Sequence, residues 1–211
     1  MSNCCETNVA FDGASVAYKR VLWAVIAMNA TMFAVESGAG FLAGSAALQA
    51  DALDFLGDSV TYAISLYVIG RPLKWRATAA MIKGVSLGLF GLMVFALTIY
   101  RVVVTGMPEP VTMGAIGGLA LAVNVVSAVL LFKFRNGDAN VRSVWLCSRN
   151  DAIGNVAVIG AAGAVMWTAS PWPDLIVAAA MAALFIKGAV SIIRQASEEL
   201  ALARTATAGE D

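Results

Sequence analysis

The sequence predicts an all-α integral membrane protein: a bundle of six transmembrane helices with its N- and C-termini in the cytoplasm. Three observations carry that expectation. Of 211 residues, 60% are apolar and 13% charged, less charge than a soluble domain of this length carries. The apolar residues gather in runs of about 20, the length that crosses a hydrocarbon core. Lys and Arg recur in every second connection between those runs, as cytoplasmic loops require.

The first span, Val21 to Leu42, follows a polar segment (1–19) with no hydrophobic core of its own. No cleaved signal peptide is expected, so the first span targets the chain, with Lys19 and Arg20 holding its start in the cytoplasm. The connection "AGSA" has no basic residue and leads to the second span, Ala46 to Ile69. Arg71, Lys74 and Arg76 then precede the third, Ala79 to Val104. The next connection, "TGMPEPVT", again lacks Lys and Arg, although Arg101 sits one turn before it. The fourth span, Met113 to Phe134, ends among Lys133, Arg135 and Arg142. The fifth runs from Ser143 to Trp167, and "TASPWPD" leads to the sixth, Pro173 to Ile193. The organisation expected is a tail (1–19), a membrane domain (20–195) and a second tail (196–211) too short to fold by itself. Small residues in "SGAGFLAGSAA", "GAIGGLALA" and "GNVAVIGAAGA" fit close helix packing, and Asn124, Asn150 and Asn155 fit amide hydrogen bonds between helices. Trp23, Trp75, Trp145, Trp167 and Trp172 fall mostly near span ends, as interfacial anchors do.

Composition also excludes classes of function. Lys plus Arg and Asp plus Glu both number 14, and no basic run accompanies aromatics, so no nucleic acid partner is expected. The chain has no histidine, hence no HExxH-type centre, and an enzyme is not expected. Three cysteines cannot close a disulfide framework, and the adjacent Cys4 and Cys5 are expected as free thiols on the cytoplasmic tail.

The second span, within "ALQADALDFLGDSVTYAISLYV", carries Asp51, Asp54 and Asp58. At helical pitch these project within an arc of about 60°. Carboxylates in a bilayer face the bundle interior and mark ion or proton paths. With no Lys or Arg in that span, they call for a cation. The fifth span, "VWLCSRNDAIGNVAV", offers Cys147 and Asp151 at the four-residue spacing of Asp54 and Asp58. Two facing pairs give three oxygens and one sulfur, suited to a tetrahedral divalent ion, and a thiolate favours zinc or cadmium over magnesium or calcium. Four ionised ligands outweigh two positive charges, so some of the groups must carry protons, which leave as metal enters. Cys147 is otherwise a small packing residue. Asp51, one turn away, supports the site more readily than it ligates. Glu36 and Asn29, seven residues apart on one face of the first span, form either a proton relay or a helix-joining pair. Asn150 is assigned a supporting role. Arg149 either neutralises the empty site or reaches for the interface.

The run "AMNATMFAVESGAGFLAGSAALQADALDFLGD" resembles the first two spans of the cation diffusion facilitator family, with Asn29, Glu36, Gly40, Ser45, Ala47, Leu48, Asp51 and Asp58 in that family's order. "WLCSRNDAIGNVAV" is similar to its fifth span and "PWPDLIVAAAMAALFI" to the start of its sixth. The resemblance covers residues 20 to 195 and is weak in spans three and four. It implies a proton-coupled antiporter, usually a homodimer, that exports divalent metals from the cytoplasm through a site at Asp54, Asp58, Cys147 and Asp151. Cys147 replaces the family's histidine, and the family's cytoplasmic metal-binding domain finds no match after the sixth span. The expected substrates are Zn2+ and Cd2+, with no cofactor beyond the transported ion, and the expected location is the bacterial inner membrane. The alternatives are transport of Co2+, Fe2+, Mn2+ or Pb2+ by the same fold, or a passive cation channel.

Overall fold

A computed structural model describes residues 15–104, 106–136 and 139–208. Cys4 and Cys5, and the side chains of Arg76 and Arg142, lie outside what it describes. Among the described residues there are six helices: α1 (Val16–Leu42), α2 (Ala46–Tyr67), α3 (Leu73–Val103), α4 (Pro110–Phe132), α5 (Ala139–Thr168) and α6 (Trp172–Ala208). Each corresponds to one expected span; α1, α5 and α6 contain theirs and run beyond it, whereas α2, α3 and α4 start at or before theirs and stop one or two residues short, because a helix continues until a cap or breaker stops it and not to the hydrocarbon edge. Ser15 starts α1 early by accepting the Tyr18 N–H at 3.2 Å, and α6 continues past Ile193 to Ala208.

Five of the helices, all but α2, contain stretches long and apolar enough to cross a membrane. With 22 residues, α2 has the length; the three carboxylates set it apart. The protein is therefore a multi-pass membrane bundle. Large apolar side chains stand exposed along its outside, among them Leu89, Leu92, Phe95, Val129, Ile153, Ile176 and Leu184, as a lipid-facing surface requires.

The helices pack as pairs, α3 along α6, α4 along α5 and α1 along α2, and α2 also touches α3, α4, α5 and α6. It is the helix that every other helix reaches. The α3–α6 pair closes over two glycines outside the three small-residue stretches above. A Cβ at Gly84 would meet Ile193 Cγ1 at 2.7 Å, and one at Gly91 would meet Ile186 Cγ1 at 2.9 Å. Gly154, Gly160 and Gly163, in the stretch "GNVAVIGAAGA", have nothing within 4 Å of that position. Gly91→Leu is expected to destabilise the bundle by about 1–3 kcal/mol through overpacking, whereas Gly160→Leu should leave it near native. Thermal unfolding in detergent, followed by helical circular dichroism, checks the contrast.

Two apolar cores lie at opposite ends of the bundle. One joins Ala47, Leu48 and Ala50 of α2 to Val94, Met113, Val158, Ala162, Ala182 and Phe185. The other joins Tyr18, Leu22, Val25 and Ile26 of α1 to Tyr62, Leu131 and Val144. At the first end the turns are tied to one another. Gly44 takes a left-handed φ of 64° between α1 and α2. The Glu109 N–H donates to Ala43 O at 2.9 Å. Asp174, at the start of α6, accepts the Ser45 hydroxyl at 2.6 Å and the Ala46 and Ala47 N–H groups at 2.7 and 3.1 Å. An acid from one helix thus caps the start of another, where the free N–H groups and dipole favour negative charge.

Glu109, the residue that precedes α4, caps that helix itself, accepting the Thr112 N–H at 2.6 Å and the Val111 N–H at 3.1 Å. The Thr112 hydroxyl and N–H hold its carboxyl below the usual carboxylate range. A depressed folded value means that the cap is present above the unfolded value and is lost as pH falls through the folded one. Hydrogen exchange at residues 111 and 112 should therefore accelerate below about pH 4, and Glu109→Gln should abolish that step.

Candidate functional site

Between the two cores, α2 turns its acidic face inward. Asp51 and Asp58 are buried and Asp54 is half-buried. The Asp58 carboxylate accepts a short hydrogen bond from the Tyr62 hydroxyl one turn on. That hydroxyl also lies 3.4 Å from Val144 O and 3.3 Å from Ser148 Oγ, which ties the site end of α2 to α5. On α5, Asp151 comes within hydrogen-bonding reach of both Asp54 and Asp58, and its Oδ2 is buried without a donor. Cys147, one turn earlier, is half-buried and packs against the core around Tyr62 and Val144. It lies within electrostatic range of Asp54, Asp58 and Asp151. Among the described residues, no three His, Cys, Asp or Glu side chains close on a common point as a finished metal cage. The four groups lie within electrostatic range of one another.

A second polar layer lies one turn from Asp54, toward the end where α1 meets α2. Asn155 Nδ2 donates to Asp51 Oδ2 at 2.5 Å, and Asn124 Nδ2 donates to Asn155 Oδ1 at 2.9 Å. That chain joins α4, α5 and α2. Glu36 is fully buried beside Asp51 with no donor on either oxygen. A contact between two carboxyls becomes a hydrogen bond only when one of them carries a proton.

The remaining expected residues lie elsewhere. Asn29 donates to Val25 O of its own helix at 2.9 Å and makes no hydrogen bond to Glu36. Asn150 is exposed and accepts a hydrogen bond from Arg149 at 3.1 Å. Arg149 is exposed as well, its guanidinium stacked 5.3 Å over the Trp145 ring. It turns outward and does not neutralise the acids. Residues 150 and 151 are one step apart and so point about 100° away from each other, which puts Asp151 inside and Asn150 outside.

Two neighbours of the site escape a reading centred on its acids and thiol. One is Tyr62, whose four-residue spacing from Asp58 was the available signal. The other is Lys83, a cation inside the third span, a kind of residue that intramembrane energetics marks as functional. Lys83 is half-buried and donates to Ser65 Oγ on α2 at 2.8 Å.

Residues 22–201 match the family model described as the cation efflux transmembrane domain. The chain is 26% identical over 196 residues to zinc transporter ZitB of Escherichia coli, covering 86% of this chain and 62% of that protein. It is 27% identical over 172 residues to the metal cation efflux system protein CzcD of Cupriavidus metallidurans, covering 76% and 54%. It is also 27% identical over 194 residues to a cadmium, cobalt and zinc/H(+)-K(+) antiporter of Bacillus velezensis, covering 83% and 61%. The chain spans between about half and three fifths of the length of these relatives.

Proposed function

The chain belongs to the cation efflux, or cation diffusion facilitator, family, whose members are transporters and not enzymes, and from that premise we propose that it exports Zn2+ and Cd2+ from the cytoplasm in exchange for protons. The observation that carries the reading is the meeting of Asp151 on α5 with Asp54 and Asp58 on α2, between two apolar cores. Three carboxyls and the Cys147 thiol then hold the ion. The donor set supports zinc and cadmium, since a thiolate discriminates against magnesium and calcium.

The charge balance supplies the coupling. Four anionic ligands around one divalent ion leave an excess of two negative charges, which a site in lipid cannot carry unpaired. Some groups therefore stay protonated in the loaded state, and an emptied site takes up more protons than a loaded one. A proton gradient then biases release on one side and loading on the other. Asp51, held by Asn155, and Glu36 extend the acidic groups beyond the metal ligands and supply a route for those protons.

The basic connections support a cytoplasmic side for both termini, and the reading includes a homodimer in the bacterial inner membrane, as the family resemblance implies. The test is zinc uptake into proteoliposomes with an imposed pH gradient. Accumulation against the zinc gradient should require the proton gradient and vanish when a protonophore collapses it. Flux indifferent to the gradient would replace the antiporter with a passive channel.

A further inference from the structure

Lys83 belongs to α3, a helix that contributes no ligand to the site above, yet its ammonium group points into the bundle. The acceptor at 2.8 Å, Ser65 Oγ, belongs to a buried residue of α2, so the side chain does not snorkel outward as lysines near helix ends usually do. Ser65 lies seven residues after Asp58 on the same face of α2, about 10 Å along the helix toward the end where α2 passes into α3. Its hydroxyl also donates to Thr61 O at 2.9 Å, which leaves an oxygen lone pair aimed at the lysine. From that position the ammonium lies within electrostatic range of the Asp58 carboxylate and the Cys147 thiol, the innermost acid and the sulfur of the two facing pairs. Arg149, the cation nearest in sequence to Cys147 and Asp151 on α5, is turned outward on Trp145. The acids thus have one fixed positive charge directed at them among the described residues, and it comes from the third helix.

We propose that Lys83 is the tethered counter-cation of the metal site: a fixed positive charge, anchored on Ser65 and directed toward Asp58 and Cys147, that offsets the charge of the empty acid cluster and weakens metal binding enough for release. The inference rests on the assignment of Asp54, Asp58, Cys147 and Asp151 as the metal site. The electrostatics are direct. A mobile divalent ion entering among the acids meets the repulsion of an ammonium that cannot leave, and the repulsion is weakly screened inside the bundle. The same charge lowers the cost of the cluster when no ion is present. A transporter needs both effects, because an ion held too tightly is not released. Lys83 is therefore a positioning residue that sets affinity without touching the ion, and Ser65 fixes the direction of its charge.

Zinc binding to the purified full chain, by competition with a chromogenic chelator, together with zinc uptake into proteoliposomes, tests this. Lys83→Gln should tighten the dissociation constant by roughly tenfold, lower KM and lower the maximal rate together, since release becomes slow. Lys83→Arg, which keeps the charge, should bind and transport like the native chain. Lys83→Met provides a second neutral variant should Lys83→Gln fail to insert, and the same tightening is expected. Native affinity in both neutral variants overturns the proposal, as does weaker binding in both. Equal behaviour of Lys83→Arg and Lys83→Gln also overturns it, because packing and not charge would then be the role. Asp58→Ala run in parallel separates the premises: zinc binding that survives Asp58→Ala removes the site assignment itself, whereas binding lost there and unchanged in Lys83→Gln removes only the counter-cation.

Discussion

Zinc uptake by proteoliposomes carrying Asp58→Ala is expected to fall to the protein-free background, a loss of more than about a hundredfold. Removing a group that only orients a metal ligand typically costs 10–100-fold, and Asp58 is assigned as a ligand. Its position makes it the hardest of the four to replace. It is buried, it faces Asp151 across the gap between α2 and α5, and the Tyr62 hydroxyl orients it. No neighbouring acid can swing into its place, since Asp54 already faces Asp151 and Asp51 is held by Asn155 at 2.5 Å. The substitution should not unfold the bundle. It removes a buried carboxylate, and Tyr62 retains Ser148 and the Val144 carbonyl as neighbours. Normal yield and helicity with no transport is the expected combination. Transport equal to native would end the assignment of α2 as the metal-bearing helix.

The second large effect concerns the sulfur. Cys147→Ser is expected to weaken Cd2+ binding by roughly 10–100-fold, and Cys147→His to move preference from Cd2+ toward Zn2+. A thiolate is the softest donor available to a protein and cadmium the softer of the two ions, while imidazole suits zinc. Isothermal titration of both metals against the three chains reads the shift. The competing role is visible in the same environment, because Cys147 also packs against the apolar cluster around Tyr62 and Val144. If neither substitution alters the metal preference, Cys147 is a packing residue and the site is made of carboxylates alone.

Much of this arrangement follows from local sequence. The six apolar runs fix the helices, because in lipid an unsatisfied backbone has no alternative. The inward acidic face of α2 follows from the spacing 51, 54, 58, and the partnership with α5 from the matching spacing 147, 151. Helix ends are less legible: hydropathy marks where lipid begins, whereas α6 runs on to Ala208 and α5 begins at Ala139. Rotations about helix axes are also hidden wherever a helix carries few polar residues. Nothing local distinguishes Gly84 and Gly91, pressed against α6, from Gly154 and Gly160, which face open space. Lys83 was written plainly in the third span, but its direction depends on where α3 lies against α2, which no window along one helix contains. Asn29 shows the converse. Its spacing from Glu36 suggested a shared role, and its amide bonds its own backbone at 2.9 Å, as polar side chains within helices often do.

The two apolar cores are not equal partners. One draws residues from α2 through α6 and is further laced by Asp174 and Glu109 across three interhelical turns. The other is built from α1, α2, α4 and α5, with neither α3 nor α6 among its members. The barrel of helices therefore has a hooped rim and an unhooped one. Among the described residues, parting α3 and α6 from their neighbours at the unhooped rim breaks into no apolar core, and it is the side on which Lys83 stands.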